Sequence, residues 1–415
     1  METVIIGAGG AGISALETIR RCSKDIPVTV ISAERVVPYS LCALPSVLGG
    51  ELPHKALPRF SKDFFRKNSV KSLQGIPVQR ILVDKQKLIL KNGKSIKYRK
   101  LLIAAGSTPI IPRIEGIDSP GVFSLSTLAS CRAIADYAKK HKARRAVIIG
   151  AGFTGIETAL SLHQLGIKTV IVEMLTRVLA RILDEDMAEP VEQILNAKGI
   201  EIKLGEEVIQ VTGGKAVSGI RLKSGGLIVG DLVVVSIGVR PNIKFLEGSG
   251  IKTNRGIIVD DNMRTNIENV YAAGDAAEAR DFISGKPALS AIWPNAVEQG
   301  RIAALNMMDI PAVYEGNVSV NAINIDGLSV TGMGQTADEA KQQGAGGLEE
   351  IRYRNRNSRR KLILRDNRII GFQSVGAFRN SGAIWNYMQK RRDVSALKNE
   401  LLNDSLKLQY NIKGI

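Results

Sequence analysis

The chain has 415 residues, 44% of them hydrophobic, which is enough for two or three domains, each with its own core. Three widely spaced cysteines (Cys22, Cys42, Cys131) with no CxxC pair exclude a disulfide framework and the usual zinc or iron–sulfur ligand spacings, and point to a reducing, cytoplasmic setting. With 57 Lys+Arg against 40 Asp+Glu, the formal charge of +17 predicts an acidic partner, a nucleic acid or an anionic ligand and says nothing about fold.

The N-terminus runs straight into the apolar Val4-Ile5-Ile6 with no basic segment or cleavage signal, so no export sequence is expected. The longest apolar runs, such as 232–237, fall far short of the ~18 residues of a membrane span. "VIIGAGGAGISALETIRR", from Val4, reads as a buried strand, a glycine turn and an amphipathic helix. Its Gly7-x-Gly9-x-x-Gly12 supplies a tight turn, close approach of a pyrophosphate, and helix–strand packing, in that order. The helix N-terminus then offers N–H groups and a positive dipole end to phosphates. A second strand, "VTVISAE", ends at Glu34, where a carboxylate can accept hydrogen bonds from a ribose diol. Next comes "PYSLCALPSVLGG" (38–50), with the single cysteine Cys42.

The whole pattern recurs from Val147 as "VIIGAGFTGIETALSLHQ", with Gly150, Gly152 and Gly155, followed by "KTVIVE" ending at Glu173. One glycine motif is weak evidence, but two copies, each with its acid, predict two bound dinucleotides. A carboxylate at 173 repels a 2′-phosphate, which favours NAD(H) and disfavours NADP(H), although Arg177 is near enough in sequence to weaken that preference. Further on, "TNIENVYAAGDAAE" (265–278) is a strand running into Gly274-Asp275, and 288–308 reads as a helix. The C-terminal region predicts a hairpin around Asp366-Asn367 and a helical segment with a basic end. Residues 351–415 hold 15 Lys+Arg and 4 Asp+Glu. Arg359, Arg360 and Lys361 stand at the start of a hairpin strand, where alternation should turn some of them to solvent. Cys22 and Cys131 read as buried small residues, and His54, His141 and His163 lack any catalytic or metal spacing.

Taken in order, the two glycine units, "LLIAAGSTP" (101–109), "VVVSIGVRPN" (233–242) and Gly274-Asp275 resemble the pyridine nucleotide–disulfide oxidoreductase superfamily over roughly residues 1–310. The resemblance implies an α/β fold with two Rossmann-like domains. The FAD domain would be discontinuous (1–112 and 242–312), the NAD(H) domain inserted (113–241), and a basic α+β domain would follow (313–415). FAD is then expected on Gly7, Gly9, Gly12, Glu34 and Asp275, the last bonding the ribityl chain. Arg35, Val78, Ala105, Gly106, Gly238 and Gly274 are also assigned to cofactor binding, as are Gly150, Gly152, Gly155 and Glu173 for NAD(H). Trp293, near the helix end that would face the flavin, either lines it or serves as a packing aromatic. Glu157 matches a position where the family keeps an acid near the nicotinamide, or is a solvated acid in a first helical turn.

Within the superfamily the chain is similar to the rubredoxin reductase, NADH oxidase and coenzyme A-disulfide reductase branch. "YSLCALPSVLGG" matches the single-cysteine members, whose redox thiol stands where Cys42 does. The basic C-terminal region instead resembles rubredoxin reductases and FAD/NAD subunits of iron–sulfur enzymes, which favours Cys42 as a packing residue near the flavin. The expected activity is electron transfer between NADH and an acidic carrier or iron–sulfur subunit docked on the C-terminal domain. The alternative is a coenzyme A-disulfide reductase or NADH oxidase using Cys42. A nucleic-acid-binding flavoprotein is a minor alternative, since the basic segment interleaves few aromatics and carries no recognition signature. An oligomer is compatible with the sequence.

Overall fold

The computed structural model describes residues 2–403 apart from Ala345. They cluster into two compact units: residues up to 111 with 124–136 and 238–318, and residues 112–123 with 137–237 and 319 onward. No helix among the described residues is long and apolar enough to cross a membrane.

The first unit is built on a five-stranded parallel sheet in the order Val270–Ala272, Lys100–Ile103, Thr3–Ile6, Val28–Ser32, Val70–Gln74. Its central strand Thr3–Ile6 is buried along its whole length because both faces are covered, while the edge strand Val70–Gln74 is mostly not. Ile5 joins a core cluster with the helices Gly10–Cys22 and Trp293–Met307. Val4 and Ile6 face the other way, into a cluster with Leu88 and Leu90 of a small antiparallel meander. The two helices cross so closely that a β-carbon on Gly300 would stand 2.1 Å from the Ala11 carbonyl oxygen. An antiparallel ribbon, Ser107–Pro109 with Val239–Pro241, completes the segments that sequence reasoning marked as crossovers.

The second unit repeats the architecture with the order Glu201–Leu204, Lys168–Glu173, Arg145–Ile149, Leu232–Val235, Val122–Phe123, all parallel. It also holds a five-stranded antiparallel sheet: Val320–Ile325, Leu328–Gly334, Arg368–Val375, Arg359–Arg365, Leu348–Arg354. The expected hairpin is present, and Asp366 and Asn367 form its tight turn with φ of +51° and +58°. Helix Ser381–Gln389 follows.

Of Arg359, Arg360 and Lys361, some of which were expected to reach solvent, only Arg359 does so, and only in part. Arg360 is 1% exposed, its guanidinium 4.7 Å from the Tyr353 ring centre and 4.3 Å from that of Phe378, and it donates to the Leu402 carbonyl at 2.5 Å. Lys361 is 2% exposed, with Nζ 3.1 Å from Asp184 and 2.5 Å from Asp186. Arg359 pairs with Glu189 at 2.7 Å. Alternation along the strand is intact, but both faces are covered: helix Glu185–Ala197 lies over one, and Phe378 and Leu402 over the other. Cys131 is buried as expected, whereas Cys22, the last residue of its helix, is exposed.

Candidate functional site

In the first unit the sequence-predicted residues gather at the carboxyl edge of the parallel sheet, where open α/β sheets take their ligands. Gly7 (φ +108°) leaves strand Thr3–Ile6 so close to the Ala104 carbonyl that a β-carbon would meet its oxygen at 1.9 Å. A β-carbon on Gly12 would meet the Gly7 oxygen at 2.0 Å, whereas one on Gly9 would find nothing within 4 Å. Gly7 and Gly12 are thus fixed by protein packing and Gly9 by nothing in the protein. Gly9 caps helix Gly10–Cys22 without a side-chain cap, so the first-turn N–H groups stay available to an anion. The ring of Trp293, first residue of its helix, lies 3.3 Å from the β-carbon position of Gly10.

Gly274 and Asp275 follow strand Val270–Ala272 at the same edge, and a β-carbon on Gly274 would touch that of Ala11 at 3.0 Å. The Gly274 N–H donates to Gln299 Oε1 at 2.7 Å, and Gln299 in turn donates to Asn317. The Asp275 carboxylate is largely buried and accepts a hydrogen bond from the Ser107 hydroxyl at 2.7 Å as well as one from its own N–H. Burial pushes its pKa up, and the Ser107 bond opposes that. Ala105 and Gly106 present their carbonyls to Asn242. Gly238 lies within 3.7 Å of Ile110 at its β-carbon position. Glu34 follows strand Val28–Ser32; its carboxylate accepts from Tyr39 Oη at 2.8 Å, and Arg35 beside it is exposed. Val78 packs its side chain into the core on the meander side. Ser107, Gln299 and Tyr39 were missed from sequence. Ser107 sits just past Gly106 in a motif already singled out, and Gln299 is a buried amide on the apolar face of a helix, so both left a faint signal.

Cys42 lies exposed in a short turn, Leu41–Ala43, leading into helix Leu44–Leu48. The segment is pinned on either side. Tyr39 Oη also accepts the Leu128 N–H at 2.9 Å, and the buried Cys131 thiol donates to the Leu44 carbonyl at 3.7 Å. A cavity at the first glycine turn is lined by Gly9, Gly10, Ser14, Tyr39, Phe60 and Trp293 among others.

The second unit reproduces the glycine geometry. Gly150 (φ +109°) packs on Ser236 and Gly155 on the Gly150 oxygen, while Gly152, the uncapped N-cap of helix Phe153–Gln164, is again open. The Glu173 carboxylate sits at this turn, accepting from the Ala151 N–H at 2.7 Å and the Leu175 N–H at 2.9 Å. Arg177 is turned to other work: it bonds Asp338 at 2.8 Å and the carbonyl of Leu183 at 2.9 Å. Arg177 makes no bond with Glu173 among those described. Glu157 is largely buried, its pKa pushed up to about 7 by desolvation, and among the described residues its carboxylate has no hydrogen-bond partner. Both turns fit a dinucleotide: an open glycine and free N–H groups for phosphates, with a carboxylate one strand away for a ribose.

The family model for pyridine nucleotide-disulphide oxidoreductases matches residues 1–300. A Methanocaldococcus jannaschii protein named NADH oxidase is 34% identical over 91% of this chain and 88% of its own. The NADH-dependent phenylglyoxylate dehydrogenase subunit epsilon of Aromatoleum evansii is 30% identical over 97% of this chain and 95% of its own. The solved NAD-dependent persulfide reductase of A. fulgidus superposes with a TM-score of 0.88 at 29% identity, covering 96% of this chain and 78% of that one. The chain belongs to the pyridine nucleotide-disulphide oxidoreductase family, and is an FAD-dependent oxidoreductase working with NAD(H).

Proposed function

We propose that this member of the family passes electrons from NADH to an acidic protein acceptor, either a rubredoxin- or ferredoxin-type carrier or an iron–sulfur subunit of a larger enzyme. The overall step balances as one NADH and two oxidised one-electron carriers giving NAD⁺, one proton and two reduced carriers. Bound FAD would supply the chemistry that links a two-electron hydride donor to one-electron acceptors. Gly9 and the N–H groups of helix Gly10–Cys22 hold the FAD pyrophosphate, Glu34 with the neighbouring Arg35 takes the adenosine end, and Asp275 takes the ribityl hydroxyls. Gly7, Gly12, Val78, Ala105, Gly106, Gly238 and Gly274 shape the approach, and Trp293 walls the turn. Gly150, Gly152 and Gly155 do the same for NADH, with Glu173 on the ribose diol. Glu157 holds a proton near neutral pH. Losing that proton as the nicotinamide becomes cationic would compensate the new charge.

What carries the choice of acceptor is the charge of the C-terminal segment, 15 cations against 4 carboxylates over 351–415. The full-length likeness to a subunit of an NADH-dependent dehydrogenase supports it. The test is anaerobic: reduce the protein with NADH, then offer rubredoxin, a ferredoxin, coenzyme A disulfide and oxygen in turn. A carrier should reoxidise it fastest. Reoxidation by coenzyme A disulfide alone would refute the reading.

A second reading is favoured by one observation, the exposure of Cys42. An accessible thiol next to a flavin site can cycle through a mixed disulfide. Cys42→Ser separates the two: carrier reduction should persist within several-fold if Cys42 packs, whereas disulfide reduction should vanish if it is the redox thiol.

A further inference from the structure

We propose that one end of the C-terminal antiparallel sheet, carrying Arg368, Lys390, Arg391 and Arg392, is the surface on which the acidic protein acceptor docks. This rests on the electron-transfer reading above and gives it an address.

Of the cations first suspected of docking, Arg360 and Lys361 are interior and Arg359 is paired with Glu189, which leaves the question of where the excess charge is displayed. The turn at Asp366-Asn367 is held by its left-handed pair of residues. The segment after helix Ser381–Gln389 is stitched to that turn, with the Val394 N–H donating to the Asn367 carbonyl at 2.9 Å and Arg368 bridging to Asp393. Four exposed cations are thereby set on one ordered scaffold drawn from two elements. Between residues 365 and 393 six cations meet only two carboxylates. Hydrogen bonds from the Ser395 hydroxyl and from its N–H at 2.8 Å, with the nearby charges of Arg368 and Lys398, hold the Asp393 carboxyl below the usual range, so one carboxylate faces this group of cations. Among the described residues, Arg368, Lys390 and Arg392 have no ion-pair partner, in contrast to Lys341, Arg352, Arg359, Lys361 and Lys398 of the same unit, which are all paired.

A helix C-terminus welcomes one cation for about 0.3–1 kcal/mol. That accounts for Lys390, but not for a run of three with Arg368 added from another strand. Apart from the Asp393 carboxylate near Arg368, the three cations Arg368, Lys390 and Arg392 are held close together with no ion pair among the described residues, and an acidic partner relieves their mutual repulsion. Electron-transfer complexes use small interfaces steered by complementary charge, and a hairpin turn plus a helix end is of that size. A nucleic-acid duplex would need cations tracking a backbone over a longer stripe.

The test compares the wild-type holoenzyme with the triple variant Arg368→Gln/Lys390→Gln/Arg392→Gln, using NADH with either rubredoxin or ferricyanide at low and high salt. Wild-type rubredoxin reduction should slow as salt rises. At low salt the variant should be about tenfold slower with rubredoxin, with a flatter salt dependence, while its ferricyanide rate stays within about twofold. Unchanged rubredoxin rates would overturn the proposal, and so would a parallel loss of both activities. Loss of an RNA gel shift with rubredoxin reduction intact would assign the surface to nucleic acid instead. If the wild type reduces ferricyanide but neither rubredoxin nor ferredoxin, the electron-transfer reading itself has failed. A wild type that reduces them equally well as the variant loses only the surface.

Discussion

Gly9 and Gly12 belong to one turn, yet a methyl group at the two positions meets different things. At Gly12 it would overlap the Gly7 oxygen at 2.0 Å, so Gly12→Ala should damage folding of the turn itself. At Gly9 it meets no protein atom, so Gly9→Ala should fold normally and lose only the close approach of a phosphate. Purified Gly9→Ala protein, compared with wild type by thermal melting and by bound flavin, should show an unchanged melting profile for apoprotein and FAD affinity weakened at least about tenfold. Ser107 makes the second residue-scale prediction. Its hydroxyl donates to the Asp275 carboxylate, so Ser107→Ala should weaken FAD binding by about 1–2 kcal/mol, and Ser107→Thr should restore most of it. Equal FAD dissociation constants for all three proteins would show that Asp275 needs no such support. Glu157 supplies the third. Its folded pKa of about 7 lies above its unfolded value, so the penalty for burying it is absent below pH 4.5 and grows as pH rises through 7. Relative to Glu157→Gln, the wild type should lose roughly 1–2 kcal/mol between pH 5 and pH 8.5 in urea unfolding, the size reduced by its partial exposure. A constant difference across that range would mean the carboxyl is solvated.

Among the elements, those bounded by glycine turns were readable from sequence, while of the C-terminal sheet only the hairpin around Asp366-Asn367 was. A strand of Val, Ile and Leu followed by Gly-x-Gly has few folded alternatives, because each glycine answers a local steric demand. Strand Arg359–Arg365 was recognised as a strand, but its environment was misjudged, since nothing local announces that both faces will be covered. Lys361 in particular owes its burial to Asp184 and Asp186, some 175 residues earlier in the chain. Ser107 and Asp275 likewise meet only through the fold. The buried pair allows a prediction at this scale. Lys361→Met removes the cation and leaves Asp184 as a buried carboxylate, so unfolding of the variant should require about 3–5 kcal/mol less than wild type. A loss below 1 kcal/mol would show that the sheet does not depend on this ion pair. The Ala337 and Asp338 N–H groups, each 3.4 Å from Asp184, soften the loss but do not replace the ammonium.

Over the whole molecule, the chain uses one device twice: a parallel sheet, a glycine turn opening a helix, and an acid on the next strand. The two copies are told apart by what surrounds them. The first has Asp275 and Ser107 at its sheet edge, a carboxylate and a hydroxyl suited to a polyol chain. The second has Glu173 at its own turn with Arg177 diverted to Asp338, a setting hostile to a 2′-phosphate. If the first turn takes FAD and the second NADH, an anaerobic titration of the bound flavin with NADH will show it. Wild type, Gly152→Ala and Glu173→Ala should all be yellow, and wild type should be bleached by one equivalent of NADH. Gly152→Ala should keep its FAD yet need much more NADH, and Glu173→Ala should narrow the advantage of NADH over NADPH. If Gly152→Ala loses its flavin, or if wild type holds none while fully folded, the assignment of the two turns to FAD and NADH is wrong.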